Sequence, residues 1–264
     1  MKVRDYVRER AASGHYSFGS EQAREALGVS AAAAKLALRR LMRDGELASP
    51  ARGFYVIVPP EYRSLGCAPA EQFLPALMQR AGASYYVGLL TAAQYHGAAH
   101  HRPQEFQVLL SSHRRPIHCG QVRVAFFVRK RLAEVALQSF NTPRGTIQVA
   151  TPEATALDLV GYEQRIGGLD QVATVLAELA EQIDPQKLAV AARTTPLPWA
   201  QRLGYLLERV GATAQAVYLK RYVQDHATKS VAVLPGVHGH VHGKDAPRSA
   251  DWKLIINVAV EAEM

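Results

Sequence analysis

The sequence predicts an α+β protein: an N-terminal winged helix-turn-helix over residues 1–64, then a larger mixed α+β domain over 65–264 that contains a helical segment. Three observations carry this. Residues 2–43 hold three helix-like stretches separated by short glycine-containing turns. An alternating strand pair follows and stops at Pro59-Pro60, because proline lacks the N–H that a ladder needs. Beyond it, strand-like segments give way to a run of helical ones, with no internal repeat.

Taken in order, residues 2–12 have helical spacing, with Val3, Tyr6, Val7 and Ala11 at helix-face intervals, and Ser13-Gly14 ends that helix. Ser20 suits the cap of a second helix that runs to Leu27. Gly28 is placed for the left-handed residue that turns the chain sharply. Ser30 caps the third helix, and Gly45 closes it. Glu46–Leu47 and 53–58 alternate as a two-stranded wing with Ser49-Pro50-Ala51-Arg52 at its tip.

The third helix has the pattern of a recognition helix. Ala34, Leu38 and Leu41 form its packing stripe, which leaves Ala31, Ala32, Lys35 and Arg39 for a DNA groove. Small residues at the start let a helix seat deeply in a major groove about 12 Å wide. Lys35 and Arg39 reach base edges or phosphates in this reading, and Arg40 and Arg43 meet the backbone. Arg52 enters the neighbouring minor groove. A winged helix used for protein contacts is the competing reading.

In the second region, 69–80 and 84–97 have the pattern of two helices, the latter capped by Ser84. Phe106–Leu110 and 122–128 are strands, and 137–140 and 146–150 bracket a turn at 141–145. Thr151-Pro152-Glu153 starts a helix with proline at its first position. Helical periodicity returns over 168–182, 184–193, 198–210 and 213–225, and strands are expected at 231–234 and 252–260.

Composition narrows the function classes. The 264 residues are 48% hydrophobic and 20% charged, ordinary for a globular protein. No apolar run is long enough to span a bilayer, and the first residues lack an apolar signal core, so a cytoplasmic protein is expected. Two cysteines, Cys67 and Cys119, exclude a disulfide framework as the organising device. The formal net charge is +8, unevenly spread: residues 1–64 have a cationic surplus of 4, 65–150 a surplus of 6, and 151–264 a deficit of 2. A basic surface attracts polyanions by releasing their counterions. Arg102, Arg114, Arg115, Arg129, Lys130, Arg131 and Arg144 therefore make a second candidate DNA patch.

Several segments stand out together: 84–97 with its Thr91-Ala92-Ala93 step and Gly97, the strands Phe106–Leu110 and 122–128, Thr151-Pro152-Glu153-Ala154-Thr155-Ala156-Leu157-Asp158-Leu159, and the closing Trp252–Glu261 stretch. In these the chain resembles the abortive-infection type IV antitoxin family (AbiEi-like). The resemblance implies a bacterial antitoxin that represses its own operon by binding inverted repeats in double-stranded DNA. It implies a nucleotidyltransferase-like toxin as functional partner, counteracted through the larger domain without requiring a stable complex. A monomer or weak dimer without membrane attachment, metal or cofactor is expected.

Other constellations carry less. His96 and His100, with His101 beside them, have the spacing of a helical metal pair, but Gly97 and Arg102-Pro103 end the helix there. His238, His240 and His242 would align along an extended segment, but in a glycine-rich stretch read as a loop. Glu153 and Asp158 are five apart, wrong for one helix face and too few for a nuclease site. Cys119 and His118 are adjacent on a strand and point to opposite faces. No phosphate-binding loop or nucleophile elbow is present, so no enzyme is expected. A ligand-responsive winged-helix transcription factor is the alternative function, and a DNA-processing enzyme a more remote one.

Overall fold

The computed structural model describes residues 1–98, 103–233 and 246–262. Arg102, His100, His101, Leu234, His238, His240 and His242, which figure in the expectations above, lie outside them. The chain gathers into two compact units. The first comprises Met1–Tyr85, Gln104–Lys130 and Ser139–Gln148; the second comprises Tyr86–Pro103, Arg131–Gln138 and Val149–Met264.

The first unit opens with α1 (Val3–Ala12), β1 (Ser17–Gly19), α2 (Ser20–Leu27), α3 (Ala31–Arg43), β2 (Leu47–Ala51) and β3 (Phe54–Ile57). Gly28 takes φ 62°, the left-handed conformation that lets the chain reverse between α2 and α3. The cap of α2 is Gly19, whose N–H donates to the Gln22 side chain at 2.7 Å; Ser20, expected as the cap, is the first helical residue. The wing is a three-stranded sheet in the order β1-β3-β2, not the two strands expected. Phe18 on β1 stands opposite Tyr55 on β3, with the rings stacked at 5.7 Å. Pro50 falls inside edge strand β2, where the register shifts between Ala48 and Ala51 and so spares it a ladder bond. The core under these elements is Tyr6, Val7, Phe18, Ala23, Leu38, Leu41, Leu47 and Ile57.

This unit also contains α4 (Ala70–Ala81), the ladder of β5 (Phe106–Leu110), β6 (Ile117–Cys119) and β7 (Val122–Val128), and most of a hairpin. β5 pairs in parallel with β7 from Phe106 opposite Val124 to Leu110 opposite Val128, and β6 pairs antiparallel to β7. The Gln121 N–H donates to the Leu65 carbonyl at 2.7 Å, and this brings Cys119 beside Cys67. The Gly120 α-carbon approaches the backbone of 65–66 so closely that any side chain would collide with it. The first unit thus extends past residue 64 in its packing.

The order continues through β4 (Tyr85–Val87), α5 (Leu89–Tyr95), and the hairpin of β8 (Leu137–Thr142) and β9 (Gly145–Ala150). Residues 84–88 are not the helix start expected: Val87 pairs in parallel with Val149, and α5 begins only after Gly88. Then come α6 (Pro152–Gly161), α7 (Gly168–Leu179), α8 (Pro185–Ala192), α9 (Leu197–Arg209), α10 (Thr213–His226), and the short strands β10 (Val231–Ala232), β11 (Arg248–Ser249) and β12 (Leu254–Ile255). Within the second unit α6 is the centre. Glu153 to Val160 are buried without a break, as for a helix enclosed on all sides. Its N-terminus has Pro152 at the first turn and the Thr151 hydroxyl accepting from the Ala154 N–H at 3.4 Å.

Candidate nucleic-acid interface

α3 is built as its pattern requires. Ser30 has the extended geometry of a cap (φ −63°, ψ 155°), and its hydroxyl accepts from the Ala33 N–H at 3.3 Å. Ala34, Leu38 and Leu41 are buried, four and three residues apart on one face. Ala31, Ala32, Lys35, Arg39, Arg40 and Arg43 are all exposed. At the far end, Arg4 reaches Asp44 at 2.8 Å and Glu46 at 3.1 Å. Those two carboxylates are therefore engaged by α1 and offset the cations of α3 less. Among the described residues, none of Lys35, Arg39, Arg40 and Arg52 is held in an ion pair.

A groove of about 540 Å³ runs between α2, α3 and the wing. Arg24, Lys35, Arg39 and Arg52 line it, with Glu21 as its acid and Tyr55 in its wall. Arg24 is partly neutralised by Glu21 at 3.3 Å. Arg52 stands at the exposed turn between β2 and β3, next to Gly53 with φ 71°. The Gly53 carbonyl accepts from the Ser20 N–H at 2.9 Å, so the wing tip is tied to the start of α2 and presents Arg52 to the same groove as Lys35 and Arg39. Helix phase and turn chemistry had located α3 and the wing. Arg24 and the exposed Leu36 escaped that reading, although Leu36 is visible once the buried stripe is subtracted from the wheel.

The second basic patch does not hold together as a set. Arg129 is buried, 4% exposed, and donates to the Lys130 carbonyl, which withdraws it from a phosphate surface. Arg131 is clasped by Glu134 through two bonds of 2.7 and 2.5 Å, also donates to the Arg193 carbonyl, and has its pKa raised by that carboxylate. Arg144 lies 3.1 Å from the centre of the Tyr16 ring and donates to Gln72, which makes it a fastener of the first unit. Arg114 is half-buried over Phe126 at 5.4 Å, and desolvation lowers its pKa. Arg115 and Lys130 remain exposed.

The remaining candidates are structural. His96 Nε2 lies 2.7 Å from the Ala150 carbonyl oxygen. Buried Glu153 accepts from the Asp184 N–H at 3.0 Å, and buried Asp158 accepts from the Tyr86 hydroxyl. Among the described residues no group of three or more histidine, cysteine, aspartate or glutamate side chains is placed to hold a metal ion. No helix among them is long and apolar enough to cross a membrane.

These features define a winged-helix protein with a helix-rich second unit. Residues 5–58 match the family model for the AbiEi antitoxin described as a transcriptional regulator, and residues 86–209 match the AbiEi antitoxin C-terminal domain. The chain belongs to this AbiEi-like antitoxin family and has its antitoxin and regulator role. No curated protein matches the chain. Among solved structures, the RV2827C protein from Mycobacterium tuberculosis is similar at 18% identity and a TM-score of 0.65, over 94% of this chain and 89% of that one. That likeness extends the α+β fold over nearly the whole chain.

Proposed function

We propose that the protein is a DNA-binding autorepressor and the antitoxin of a type IV toxin–antitoxin pair. Residues 1–64 act as the DNA-binding module and 65–264 as the antitoxin domain. α3 enters the major groove of inverted repeats in the protein's own promoter, seated by Ala31 and Ala32 behind the Ser30 cap. Lys35 and Arg39 contact base edges and phosphates, Arg40 and Arg43 hold the flanking backbone, and Arg52 enters the adjacent minor groove. Arg114, Arg115 and Lys130 add phosphate contacts. The second unit counteracts a nucleotidyltransferase-like toxin.

The observation that carries the DNA reading is the cationic groove between α3 and the wing, with Lys35, Arg39 and Arg52 unpaired in it among the described residues. An electrophoretic mobility shift on the promoter region tests it. Arg39→Ala is expected to weaken binding by about 1–3 kcal/mol. The double substitution Arg114→Ala/Arg115→Ala is expected to lower both affinity and the steepness of the salt dependence. Unchanged affinity and salt slope in both variants overturns the contact assignment. For the antitoxin role, co-expression with the nucleotidyltransferase of the same operon should restore growth; no rescue overturns that half.

A further inference from the structure

Leu36 is 55% exposed at the middle of α3 and has no place in the core beneath that helix. At 100° per residue, it lies almost diametrically opposite the mean direction of Ala34, Leu38 and Leu41. Ala32, one turn earlier, shares that outermost line, and Arg39 and Arg43 continue it one and two turns later. The three alanines Ala31–Ala33 at the helix start are too short to hold a partner surface away from it. After Lys35, which turns toward the groove beside the wing, Leu36 is therefore the first apolar side chain of α3 long enough to reach into whatever the helix faces.

The surroundings select the partner. Leu36 has the small Ala32 and Ala33 one turn before it and the exposed Arg39 and Arg40 one turn after it, with exposed Arg43 a turn further on; Met42, the other large apolar side chain exposed on α3, lies on the groove side. A protein groove that takes a leucine is apolar, and would have to desolvate those guanidiniums. A DNA major groove supplies phosphates for the arginines and, on its floor, one apolar feature: the C5-methyl group of thymine. A guanine near such a thymine offers O6 and N7 to the guanidinium fork of Arg39.

We propose that Leu36, flanked by Ala32, is a specificity-determining residue that reads thymine methyl groups at the centre of each half-site. Discrimination is by apolar contact, so it adds selectivity without adding to the salt dependence. This rests on the DNA-reading role of α3.

The test uses the full-length protein and a duplex that it selects from a random-sequence pool. Each thymine of the bound half-site is replaced in turn by uracil, which removes the methyl group and nothing else. Wild type is expected to lose about threefold to fivefold affinity at one or two central positions, the worth of one buried methyl. Leu36→Ala is expected to bind more weakly and to show no further loss with uracil, while Leu36→Met keeps most of the discrimination. Thermal midpoints check that both variants fold. Binding with no uracil effect, or the same effect in Leu36→Ala, overturns the proposal and leaves DNA binding standing. Enrichment of no duplex overturns both.

Discussion

The Tyr86 hydroxyl donates to Oδ2 of Asp158 at 2.6 Å, with both residues buried in the second unit. The bond ties β4 to α6, the helix enclosed on all sides. Removing the donor withdraws a hydrogen bond from a carboxyl group that water scarcely reaches. Tyr86→Phe is expected to lower the unfolding free energy by about 1–3 kcal/mol while keeping the ring's packing. Urea denaturation followed by circular dichroism measures it, and a loss under about 0.5 kcal/mol contradicts the assigned weight of the bond.

That pair also shows where the sequence is legible. Asp158 stood in a helix-starting motif and was rightly placed on α6, but its partner lies 72 positions away and leaves no local trace. The long helices were readable because their apolar periodicity repeats over several turns and Ser30, Thr151 and Pro152 mark their starts. β1, β4 and β6 were not, because three residues cannot display a period; β1 and β4 owe their extended form to a distant strand, and β6 to its tight hairpin with β7. β4 was also absorbed into α5, since Leu89 begins the helix directly after Gly88, with φ 56°. At the interface, sequence separates buried from outward faces of α3 but counts every arginine as free. Arg129, Arg131 and Arg144 spend their hydrogen bonds on the protein's own groups, Arg131 doing so at the surface, and these pairings leave no trace in the sequence.

Gly204 gives a prediction whose sign is informative. It lies within α9, where alanine is ordinarily more favourable than glycine by about 0.8–1.0 kcal/mol. The fully buried Trp252 ring covers it so tightly that a methyl group there would collide with the indole. Gly204→Ala is therefore expected to destabilise by about 1–3 kcal/mol and to alter Trp252 fluorescence. Stabilisation on chemical denaturation would mean that helix propensity outweighs this contact.

Cys67 and Cys119 meet in the first unit, with 0% and 8% exposure. The hydrogen bond to Cys119, followed by burial, pushes the Cys67 thiol well above the ordinary range, so it stays protonated; the same bond lowers Cys119, whose protection from reagent therefore rests on its burial alone. Native protein at pH 7.5 is expected to react with a thiol-specific chromogen at least about tenfold more slowly than the same chain in denaturant. Denatured chain should titrate both cysteines of the sequence. Rapid labelling of a native thiol would show that the segment around 65–67 opens readily from β6.

Lys220 supplies the pH-dependent case. Its Nζ lies 2.8 Å from Asp251 and 3.0 Å from Glu208, and the same Glu208 accepts from the Trp252 indole N–H at 2.8 Å. The hydrogen bond to Asp251, then that to Glu208, raises the lysine pKa above its ordinary 10.5. A raised pKa on a cation means that the folded state holds the proton more tightly than the unfolded one. The stabilisation is thus fully present below pH 10.5 and is lost as pH rises through the folded value. The side chain keeps 32% exposure, so solvent screening limits the contribution to about 1 kcal/mol or less. Lys220→Met is expected to lower stability by a constant amount between pH 6 and 9.5, with the gap to wild type closing above about pH 10.5. Comparing the two proteins at each pH cancels the titration of every other group. A gap that widens in alkali would reverse the sign, and would place the dominant interaction of Lys220 on its uncharged stem against Trp252.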